Sequence, residues 1–409
     1  METKNPIFER IKKSNLLAKT KLKQFNHLTM RILFFSPYYY PYTSGITTYP
    51  QKIFKFLAKK HEIEVLTFKD NKKLKKVEKL NGYLIIRMNY LFKVSKGFIS
   101  PQSILYFYKK AAQSDIVILN QPNFEGLLLA VFAKMMKKKI YSIFHCQVFL
   151  NDNWVTKLIN FFLNKSMIIQ LILSDKIIIY TKDYANSLPY FLKLREKTLT
   201  VLPPIESFSI DKKFYNQLLK LKANKIWLGF AGRIATEKGI EYLVQSINQL
   251  TVGAEKISLV FAGPYGKNVA GENNYYNKIT RLLNGKKINH LFLGNLFKNK
   301  LFSFYKAIDV LVLPSINSTE AFGMVQAEAM LVGTPVIATN LPGVRMPIKL
   351  TKMGTVVEPK NEKQLAEAIF EIINNRKKYT NPTLIKNAQK IFDIKKVYQF
   401  WEKIINEKN

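Results

Sequence analysis

Apolar residues in this chain occur in short continuous runs that alternate with stretches of helical character. Seven such runs lie in the first half: RILFFS (31–36), IEVLTF (63–68), YLIIRM (83–88), DIVILN (115–120), IYSIFH (140–145), KIIIY (176–180) and TLTVLP (198–203). Six follow in the second half: IWLGFAG (226–232), ISLVFAG (257–263), HLFLGN (290–295), VLVLPS (310–315), PVIAT (335–339) and GTVVEP (354–359). Continuous apolar strands separated by helices indicate parallel sheets that are buried on both faces. The pattern predicts two doubly wound α/β domains in tandem, with ligands bound at the carboxyl ends of the strands.

The boundary between the two domains is expected at Pro203–Pro204, which is followed by a polar, lysine-rich stretch up to Asn224. The last helical stretch, from Leu384 to Asn406, follows Pro382 and carries Trp401. We expect it to pack across both domains. The predicted organisation is a basic N-terminal extension (1–30), a first domain (31–204), a second domain (205–382) and a C-terminal helix (383–409).

Composition excludes several classes of protein. Apolar residues make up 47% and charged residues 22% of the 409 residues, so neither a disordered nor a fibrous chain fits. The single cysteine, Cys146, excludes an intramolecular disulfide and suits a reducing compartment. The four histidines are scattered and form no HExxH or CxxC-type pattern, so we expect no protein-bound metal and no cofactor.

The charge is the most unusual property of the chain. There are 64 basic and 28 acidic residues, a net charge of +36, which brings nucleic acid or an anionic membrane into consideration as a partner. Only eight of the basic residues are arginines, and the chain is also rich in Asn, Ile, Phe and Tyr, as in proteins from AT-rich genomes. It contains no zinc finger, GXXG loop or RNP-like strand, so we expect no nucleic acid partner, although a basic nucleic-acid-binding protein remains an alternative.

The distribution of charge and of apolar residues favours a membrane surface. Residues 1–204 carry 34 basic and 12 acidic side chains, an excess of +22, whereas residues 205–409 carry 30 and 16, an excess of +14. The first thirty residues do not resemble a secretory signal. The apolar stretch Trp154–Leu173 is interrupted by Lys157 and Lys165, so it falls short of the roughly 18 apolar residues of a bilayer span. We expect a cytoplasmic protein resting on an anionic membrane face; the alternative is that lysine enrichment is genomic and this helix packs in the core.

The segment FAGRIATEKGIEYL (230–243) carries the first candidate chemistry. A strand runs into Gly232–Arg233, and a helix is expected to begin near Glu237. Arg233 and Lys238 would then lie at the mouth of the sheet beside a helix N-terminus, where an anion such as a diphosphate is favoured. The alternative is that Arg233 pairs with a surface carboxylate and that Lys238 is solvated.

A second segment, residues 310–339, contains a strand, a loop, a helix and another strand. Glu320 lies in the loop and Glu328 lies eight residues later, about two helical turns on, so both can face one cleft. Gly323 at the start of the helix would allow a ligand to approach the backbone. A carboxylate at position 328 among apolar neighbours needs hydrogen-bond donors, which ribose hydroxyls would supply.

These two segments resemble the motifs of the retaining GT-B glycosyltransferases of family GT4, which use nucleotide-diphospho-sugars. GRIATEKG is similar to the family's G-R-x-x-x-E-K-G motif, and EAFGMVQAE is similar to its E-x7-E motif, in the same order. The similarity of layout extends over residues 31–382. The resemblance implies the GT-B fold: two Rossmann-like doubly wound domains with a cleft between them.

The resemblance also implies roles for individual residues of the second domain. Arg233 and Lys238 would hold the donor diphosphate in place of a metal. Glu320 would contact the donor sugar hydroxyls, with the backbone of Phe322 and Gly323 alongside.

Four further positions take roles from the resemblance. Glu328 would bind the ribose hydroxyls, and the backbone near Leu296 and Phe297 would read the base. In the first domain, His145 at a predicted strand end matches the family's cleft histidine, which can donate a hydrogen bond to a sugar or balance charge.

The loop after the first strand is less similar to the family. The Gly45 backbone is expected to contact phosphate, ahead of a helix that starts around Pro50. Where the family usually has Gly-Gly and then a histidine, this chain has Ser44–Gly45 and Tyr49. Thr181 ends another predicted strand, at a position where the family often has a small hydroxyl residue.

Taken with the resemblance, the sequence predicts a glycosyltransferase that moves a sugar from a UDP- or GDP-type donor to an acceptor bound by the basic first domain, with retention of configuration. The acceptor is expected to be a cell-envelope glycan or a lipid-linked molecule. The alternative within the same fold is a sugar-nucleotide epimerase.

Overall fold

The computed structural model describes residues 29–94, 97–148, 154–250, 256–266, 269 and 272–407. Apart from its last two residues, the predicted N-terminal extension lies outside the described residues.

The first sheet has eight strands and contains every strand predicted in the first half. In chain order the strands of this half are β1 (Arg31–Phe35), β2 (Glu62–Phe68), β3 (Val77–Leu80), β4 (Tyr83–Met88), β5 (Phe92–Val94), β6 (Gly97–Ile99), β7 (Ile116–Gln121), β8 (Lys139–Phe144), β9 (Lys176–Ile179) and β10 (Thr198–Thr200). The sheet order is β10-β9-β8-β7-β1-β2-β4-β3, parallel except for β3, and β5 and β6 form a separate hairpin. The sequence pattern missed β3, β5 and β6 because each has only three or four residues, and all three residues of β5 are exposed.

The second sheet has six parallel strands, all predicted: β11 (Ile226–Ala231), β12 (Ile257–Ala262), β13 (Asn289–Phe292), β14 (Val310–Leu313), β15 (Val336–Thr339) and β16 (Gly354–Val357). Their order is β13-β12-β11-β14-β15-β16. Successive strands are added on one side of β11 as far as β13 and on its other side from β14 onward. In sheets of this kind the crevice outside the carboxyl ends of the strands binds ligands.

Helices cover both faces of each sheet. The first domain contributes α1 (Gly45–Leu57), α2 (Pro101–Gln113), α3 (Gly126–Met135), α4 (Trp154–Leu173), α5 (Lys182–Asn186) and α6 (Pro189–Leu192). The second contributes α7 (Lys212–Lys222), α8 (Ile240–Ile247), α9 (Asn273–Gly285), α10 (Lys298–Ala307), α11 (Met324–Leu331), α12 (Met346–Thr351), α13 (Glu362–Asn374) and α14 (Arg376–Tyr379). Helices α2, α3 and α4 pack side by side, which leaves α1 for the other face of the first sheet. No helix within the described ranges has the length and apolar character of a bilayer span.

The C-terminal segment forms two helices instead of the single one predicted. Helix α15 (Pro382–Ile391) packs on α11 and α12, and α16 (Ile394–Asn406) packs on α1. The break occurs because Asp393 caps the second helix, its side chain accepting a hydrogen bond from the Lys395 amide. The segment therefore joins the second domain to the first.

Trp401 anchors α16 on the first domain. Its side chain is fully buried, and Nε1 donates a hydrogen bond of 3.0 Å to the hydroxyl of Tyr49 on α1. Two ion pairs, Lys60–Glu402 and Lys176–Glu407, lie at the same contact.

We predict that Trp401→Ala lowers the free energy of unfolding by about 3–5 kcal/mol, the usual cost of removing a fully buried aromatic side chain. Phe370→Ala is the matched control, because Phe370 is a half-exposed aromatic residue on α13. Urea unfolding followed by circular dichroism measures both. Equal stability losses in the two variants would contradict the anchoring role of Trp401.

Candidate functional site

The carboxyl ends of the two sheets face each other and are held together by a set of contacts that we call the domain clamp. Asp183, at the start of α5, accepts hydrogen bonds from Arg345 Nε (2.9 Å) and Nη2 (2.6 Å) and from the Gly343 amide (2.8 Å). Burial alone would raise the pKa of the Asp183 carboxyl, but these donors hold it below its ordinary value. The first domain is thus fastened to the loop that follows β15.

A second contact crosses the cleft nearby. The Tyr184 hydroxyl donates to the Ser318 carbonyl (2.7 Å) and accepts from the Gln147 amide (2.9 Å). It therefore ties the loop after β8 to the loop after β14, which carries Glu320. Neither Asp183 nor Tyr184 was singled out from the sequence, where the only signal was their position just after a predicted strand end.

The loop after β11 carries the two predicted phosphate ligands. It forms a 3₁₀ turn at Thr236–Lys238, and α8 begins at Ile240, three residues later than predicted. The delay comes from Gly239, whose φ is +60° and where a Cβ would lie 2.5 Å from the Pro314 carbonyl oxygen. Glycine at this position lets the loop lie against the end of β14.

Lys238 and Glu320 meet in the cleft. The Lys238 Nζ lies 2.5 Å from Glu320 Oε2, and both side chains are less than a fifth exposed (16% and 17%). The other carboxylate oxygen, Oε1, accepts a hydrogen bond of 3.0 Å from the Gly323 amide. The structure thus brings together the two sequence motifs at a single ion pair.

Arg233 is placed differently. Its guanidinium pairs with Glu237 at 2.7 Å and remains 46% exposed. This matches the alternative stated for Arg233, a surface ion pair, while Lys238 does not match the alternative of a solvated lysine. Arg233 and Lys238 nevertheless lie on one loop at the mouth of the cleft.

The start of α11 places backbone in the cleft and a side chain in the core. Gly323 has φ +74°, and a Cβ there would lie 2.4 Å from Leu313 Cδ2, so only glycine fits. The preceding Phe322 is buried, with its ring against Tyr180 and Phe392. Only the backbone of Phe322 is therefore placed to meet a ligand.

Glu328 lies on α11, half-buried, and accepts a hydrogen bond of 2.8 Å from the Tyr305 hydroxyl. Burial raises the pKa of its carboxyl, and the opposing influence of Lys52 and of the Tyr305 hydrogen bond does not cancel this effect. Lys52 belongs to α1 and donates to the Pro204 carbonyl. Glu328 thus faces both α1 and the connection between the domains.

Leu296 and Phe297 lie in the loop between β13 and α10, as predicted. Phe297 precedes the first residue of α10 and is exposed, whereas Leu296 is half-buried. The loop is held by a hydrogen bond of 2.8 Å from the Gly263 amide to the Gly294 carbonyl. Since Tyr305 lies on α10, this helix links the loop to Glu328.

Helix α1 begins earlier than predicted. It starts at Gly45, because Ser44 and Thr47 form a reciprocal capping box, and Pro50 lies inside the helix. A Cβ on Gly45 would lie 3.3 Å from Met324 Cε of α11, so the start of α1 approaches the second domain across the cleft. The predicted contact of Gly45 with phosphate remains a prediction.

A helix that contains proline has one carbonyl without its intrahelical donor, here that of Ile46. The side-chain amide of Asn120 supplies the missing bond, with Nδ2 donating to the Ile46 carbonyl at 3.2 Å. The same amide nitrogen also donates to Ser36 Oγ at 3.0 Å. The side-chain oxygen of Asn120, Oδ1, is therefore available to accept a hydrogen bond from another residue.

His145 lies directly after β8, but the structure does not bring its ring nitrogens to the cleft. Nε2 donates to Asn120 Oδ1 at 2.6 Å, and Nδ1 accepts from the Tyr180 hydroxyl. Burial lowers the pKa of the imidazole to about 3, which favours the neutral ring. Asn120, which engages Nε2, is itself held by α1, and Tyr180 engages Nδ1. The predicted catalytic role of His145 stays a prediction.

Three neighbours complete this wall of the cleft. Tyr49, which stands where the family usually has histidine, is buried against His145, Tyr180 and Trp401. Thr181 caps α5 by accepting from the Tyr184 amide at 3.1 Å, so its hydroxyl serves the helix. Burial raises the pKa of the Cys146 thiol to about 12.

Among the described residues, no group of three or more His, Cys, Asp or Glu side chains is placed to hold a metal ion. Among the charged groups at the mouth of the cleft are Lys238, Glu320, Arg233 and Glu237.

Two facing Rossmann-like domains with a cleft between the carboxyl ends of their sheets define the GT-B fold. Anabaena HepE, solved in complex with UDP and glucose, aligns with a TM-score of 0.72 at 18% identity over 93% of this chain and 100% of that one. Sucrose-phosphate synthase from Thermosynechococcus elongatus aligns with a TM-score of 0.70 at 18% identity over 92% and 99%. At this identity the likeness establishes the fold.

Sequence similarity adds a family match for the second domain. Residues 211–391, less than half of the chain, match the family described as glycosyl transferases group 1.

Individual relatives agree with this assignment. An uncharacterized glycosyltransferase of Methanocaldococcus jannaschii is 31% identical over 44% of this chain and 42% of its own length. The capsular polysaccharide biosynthesis glycosyltransferase CapM of Staphylococcus aureus is 29% identical over 42% and 43%. The chain thus spans less than half the length of these two relatives. A second M. jannaschii glycosyltransferase is 23% identical over 92% of this chain and 98% of its own length.

The raised pKa of Glu328 leads to a prediction about stability and pH. When the folded pKa exceeds the unfolded one, the native state binds more protons, so stability falls as the pH rises through this range. Glu328→Gln removes this titration, and its free energy of unfolding relative to wild type should increase from about pH 4 to about pH 7. Tyr305→Phe removes a donor to the ionised form and should show the opposite trend. Urea unfolding across this pH range measures both, and parallel pH profiles for the two variants would contradict the assignment.

Proposed function

We propose that the protein is a retaining glycosyltransferase that moves a sugar from a nucleotide-diphospho-sugar to an acceptor bound in the cleft by the first domain. The observation that carries the proposal is the Lys238–Glu320 ion pair. Lys238 would bind the diphosphate, and the adjacent Glu320 would bind sugar hydroxyls. The match of residues 211–391 to the group 1 glycosyl transferases supports the reaction class.

The donor is proposed to be a UDP- or GDP-sugar. HepE was solved in complex with UDP and glucose, which supports a uridine nucleotide in a cleft of this fold. Arg233 and Lys238 would neutralise the diphosphate, so that no metal or other cofactor is needed. Glu328 would accept hydrogen bonds from the ribose, and the loop of Leu296 and Phe297 would hold the base through its backbone.

The transfer step is proposed to proceed on one face of the sugar. The bond between the anomeric carbon and the diphosphate oxygen breaks, with both electrons leaving on the diphosphate, and the acceptor oxygen attacks from the same side. The departing diphosphate takes the acceptor proton. Glu320 orients the sugar without forming a covalent bond, and the Phe322–Gly323 backbone lies beside it.

The acceptor is proposed to be a cell-envelope glycan or a lipid-linked molecule, which the similarity to CapM supports. Proton magnetic resonance of the product would test the assignment, because a retaining transferase gives a new glycosidic bond with the anomeric configuration of the donor. Conversion of the donor to a different sugar nucleotide in the absence of an acceptor would instead identify an epimerase.

The phosphate assignment predicts weaker donor binding in Arg233→Ala and Lys238→Ala. Each change removes one charge-assisted contact of about 1.5–3 kcal/mol, or ten- to hundredfold in affinity, with Arg233 at the lower end because it is more exposed. Calorimetry with UDP in the presence of EDTA measures this effect. Lys220→Ala, an exposed lysine on α7, should bind as wild type does. Wild-type affinity in both cleft variants would refute the assignment.

The two carboxylates should affect different constants. Glu320→Gln is expected to lower kcat by more than it weakens donor binding, because Glu320 acts on the sugar during transfer. Glu328→Gln should mainly raise the KM for the donor. Steady-state kinetics of both variants provide the comparison, and identical changes in kcat and KM would show that the roles are not divided in this way.

A further inference from the structure

The outward side of α4 is largely apolar. Among the side chains of α4 that the structure describes, six large apolar ones are exposed: Trp154, Leu158, Phe161, Phe162, Ile169 and Ile172. Most of them are separated by three, four or seven residues, which places them on one side of the helix, and the exposed Lys165 lies between Phe162 and Ile169. An exposed apolar stripe of this size marks an interaction surface rather than scattered surface residues.

The stripe continues onto the two neighbouring helices. On α3 and its first turn the exposed apolar residues are Phe124, Leu128, Val131 and Met135, and on α2 they are Ile104, Leu105 and Tyr108. The rings of Tyr108 and Phe132 meet at 5.7 Å, and Ser166 Oγ of α4 donates to the Phe124 carbonyl at 3.1 Å. The three helices therefore present one joined surface, which we call the α2–α4 face.

The hairpin of β5 and β6 extends the α2–α4 face. Leu91, Phe92 and Val94 are exposed on it. Glu125, which precedes α3, accepts a hydrogen bond of 2.7 Å from the Phe98 amide and so fixes the hairpin beside that helix.

The charge on these helices has a single sign. By sequence α2, α3 and α4 contain five lysines and no aspartate or glutamate. Lys110 pairs with Glu64, and Lys134 pairs with Asp175. None of the described carboxylates forms an ion pair with Lys157 or Lys165, which lie on α4 among the exposed apolar residues.

The position of this surface relates it to the cleft. Helices α3 and α4 follow β7 and β8, so their N-terminal ends lie at the sheet edge that faces the second domain. The apolar surface therefore begins on the side of the first domain that faces the second domain.

We propose that the α2–α4 face binds the surface of an anionic lipid bilayer, with its aromatic and aliphatic side chains in the headgroup region and Lys157 and Lys165 against lipid phosphates. Apolar side chains combined with unpaired lysines fit an anionic bilayer. A second copy of the same face would bring lysines against lysines and is disfavoured by charge. The bilayer would be a further partner of the proposed transferase. Binding to the bilayer does not depend on transferase activity, and only the access to a lipid-linked acceptor rests on the proposed function.

Co-sedimentation with vesicles tests the proposal without any sugar nucleotide, so its outcome is independent of the transferase assignment. The full chain should bind vesicles of phosphatidylcholine and phosphatidylglycerol, and high salt should weaken the binding. Lys157→Gln with Lys165→Gln should reduce partitioning roughly 25-fold, about fivefold for each lysine. The matched control is Lys363→Gln with Lys386→Gln, two exposed lysines of the second domain.

The apolar contribution is tested with Phe161→Ser and Phe162→Ser together, which should weaken binding by at least about tenfold. Phe370→Ser is the control, since this residue is 50% exposed and the two others are each 54% exposed. Equal binding by the variants of the α2–α4 face and by the control variants would overturn the proposal. No binding to anionic vesicles at low salt, or a dimer in solution that the phenylalanine changes abolish, would also overturn it. Unchanged circular dichroism of the variants shows that lost binding is not lost folding.

Discussion

The domain clamp is the interaction on which the geometry of the cleft depends. Asp183 reaches from the first domain to Arg345 and Gly343 of the second, and Gly343 in turn lies against the loop of Glu320. A Cβ at position 343 would come within 2.0 Å of the Ala321 carbonyl oxygen, so the backbone contact allows glycine alone. One carboxylate therefore fixes the distance between the first domain and the loop that orients the proposed sugar ligand.

The two walls of the cleft differ in electrostatic character. The wall from the second domain is ionic, with Lys238 against Glu320 and Arg233 against Glu237. The part of the first domain around His145 and Cys146 is neutral, because burial lowers the pKa of the imidazole and raises the pKa of the thiol. We therefore expect the proposed diphosphate to bind on the side of Lys238 and Arg233. The neutral part would recognise other groups through hydrogen bonding and shape.

The sequence predicted the strands well because each is a continuous apolar run that is buried on both faces, as in Phe34 of β1 or Leu311 of β14. It also placed Lys238 and Glu320 after strands of the second domain, at its carboxyl edge. The ion pair between them was not predicted and follows from β11 and β14 being neighbours in the sheet. It could not predict contacts between residues distant in sequence. Asp183 and Arg345 are 162 residues apart, and the engagement of both His145 nitrogens depends on Asn120 and Tyr180.

The predicted start of α1 was wrong because two local sequence signals conflicted. Proline usually begins a helix, so Pro50 suggested the start of α1, whereas the capping box at Ser44 decides it. The break at Asp393 was missed because the apolar pattern continues through it.

The proline inside α1 links the backbone of one helix to the orientation of an imidazole on another element. Because residue 50 donates no hydrogen bond, the Ile46 carbonyl is free to hold Asn120, and Asn120 then presents its oxygen to His145. In a homologue with a residue other than proline at position 50, the amide of that residue would donate to the carbonyl of residue 46 within the helix. Asn120 would then no longer be needed as the donor to this carbonyl. Positions 50, 120 and 145 are thus expected to covary among relatives as one inherited unit, although no two of them are neighbours in sequence.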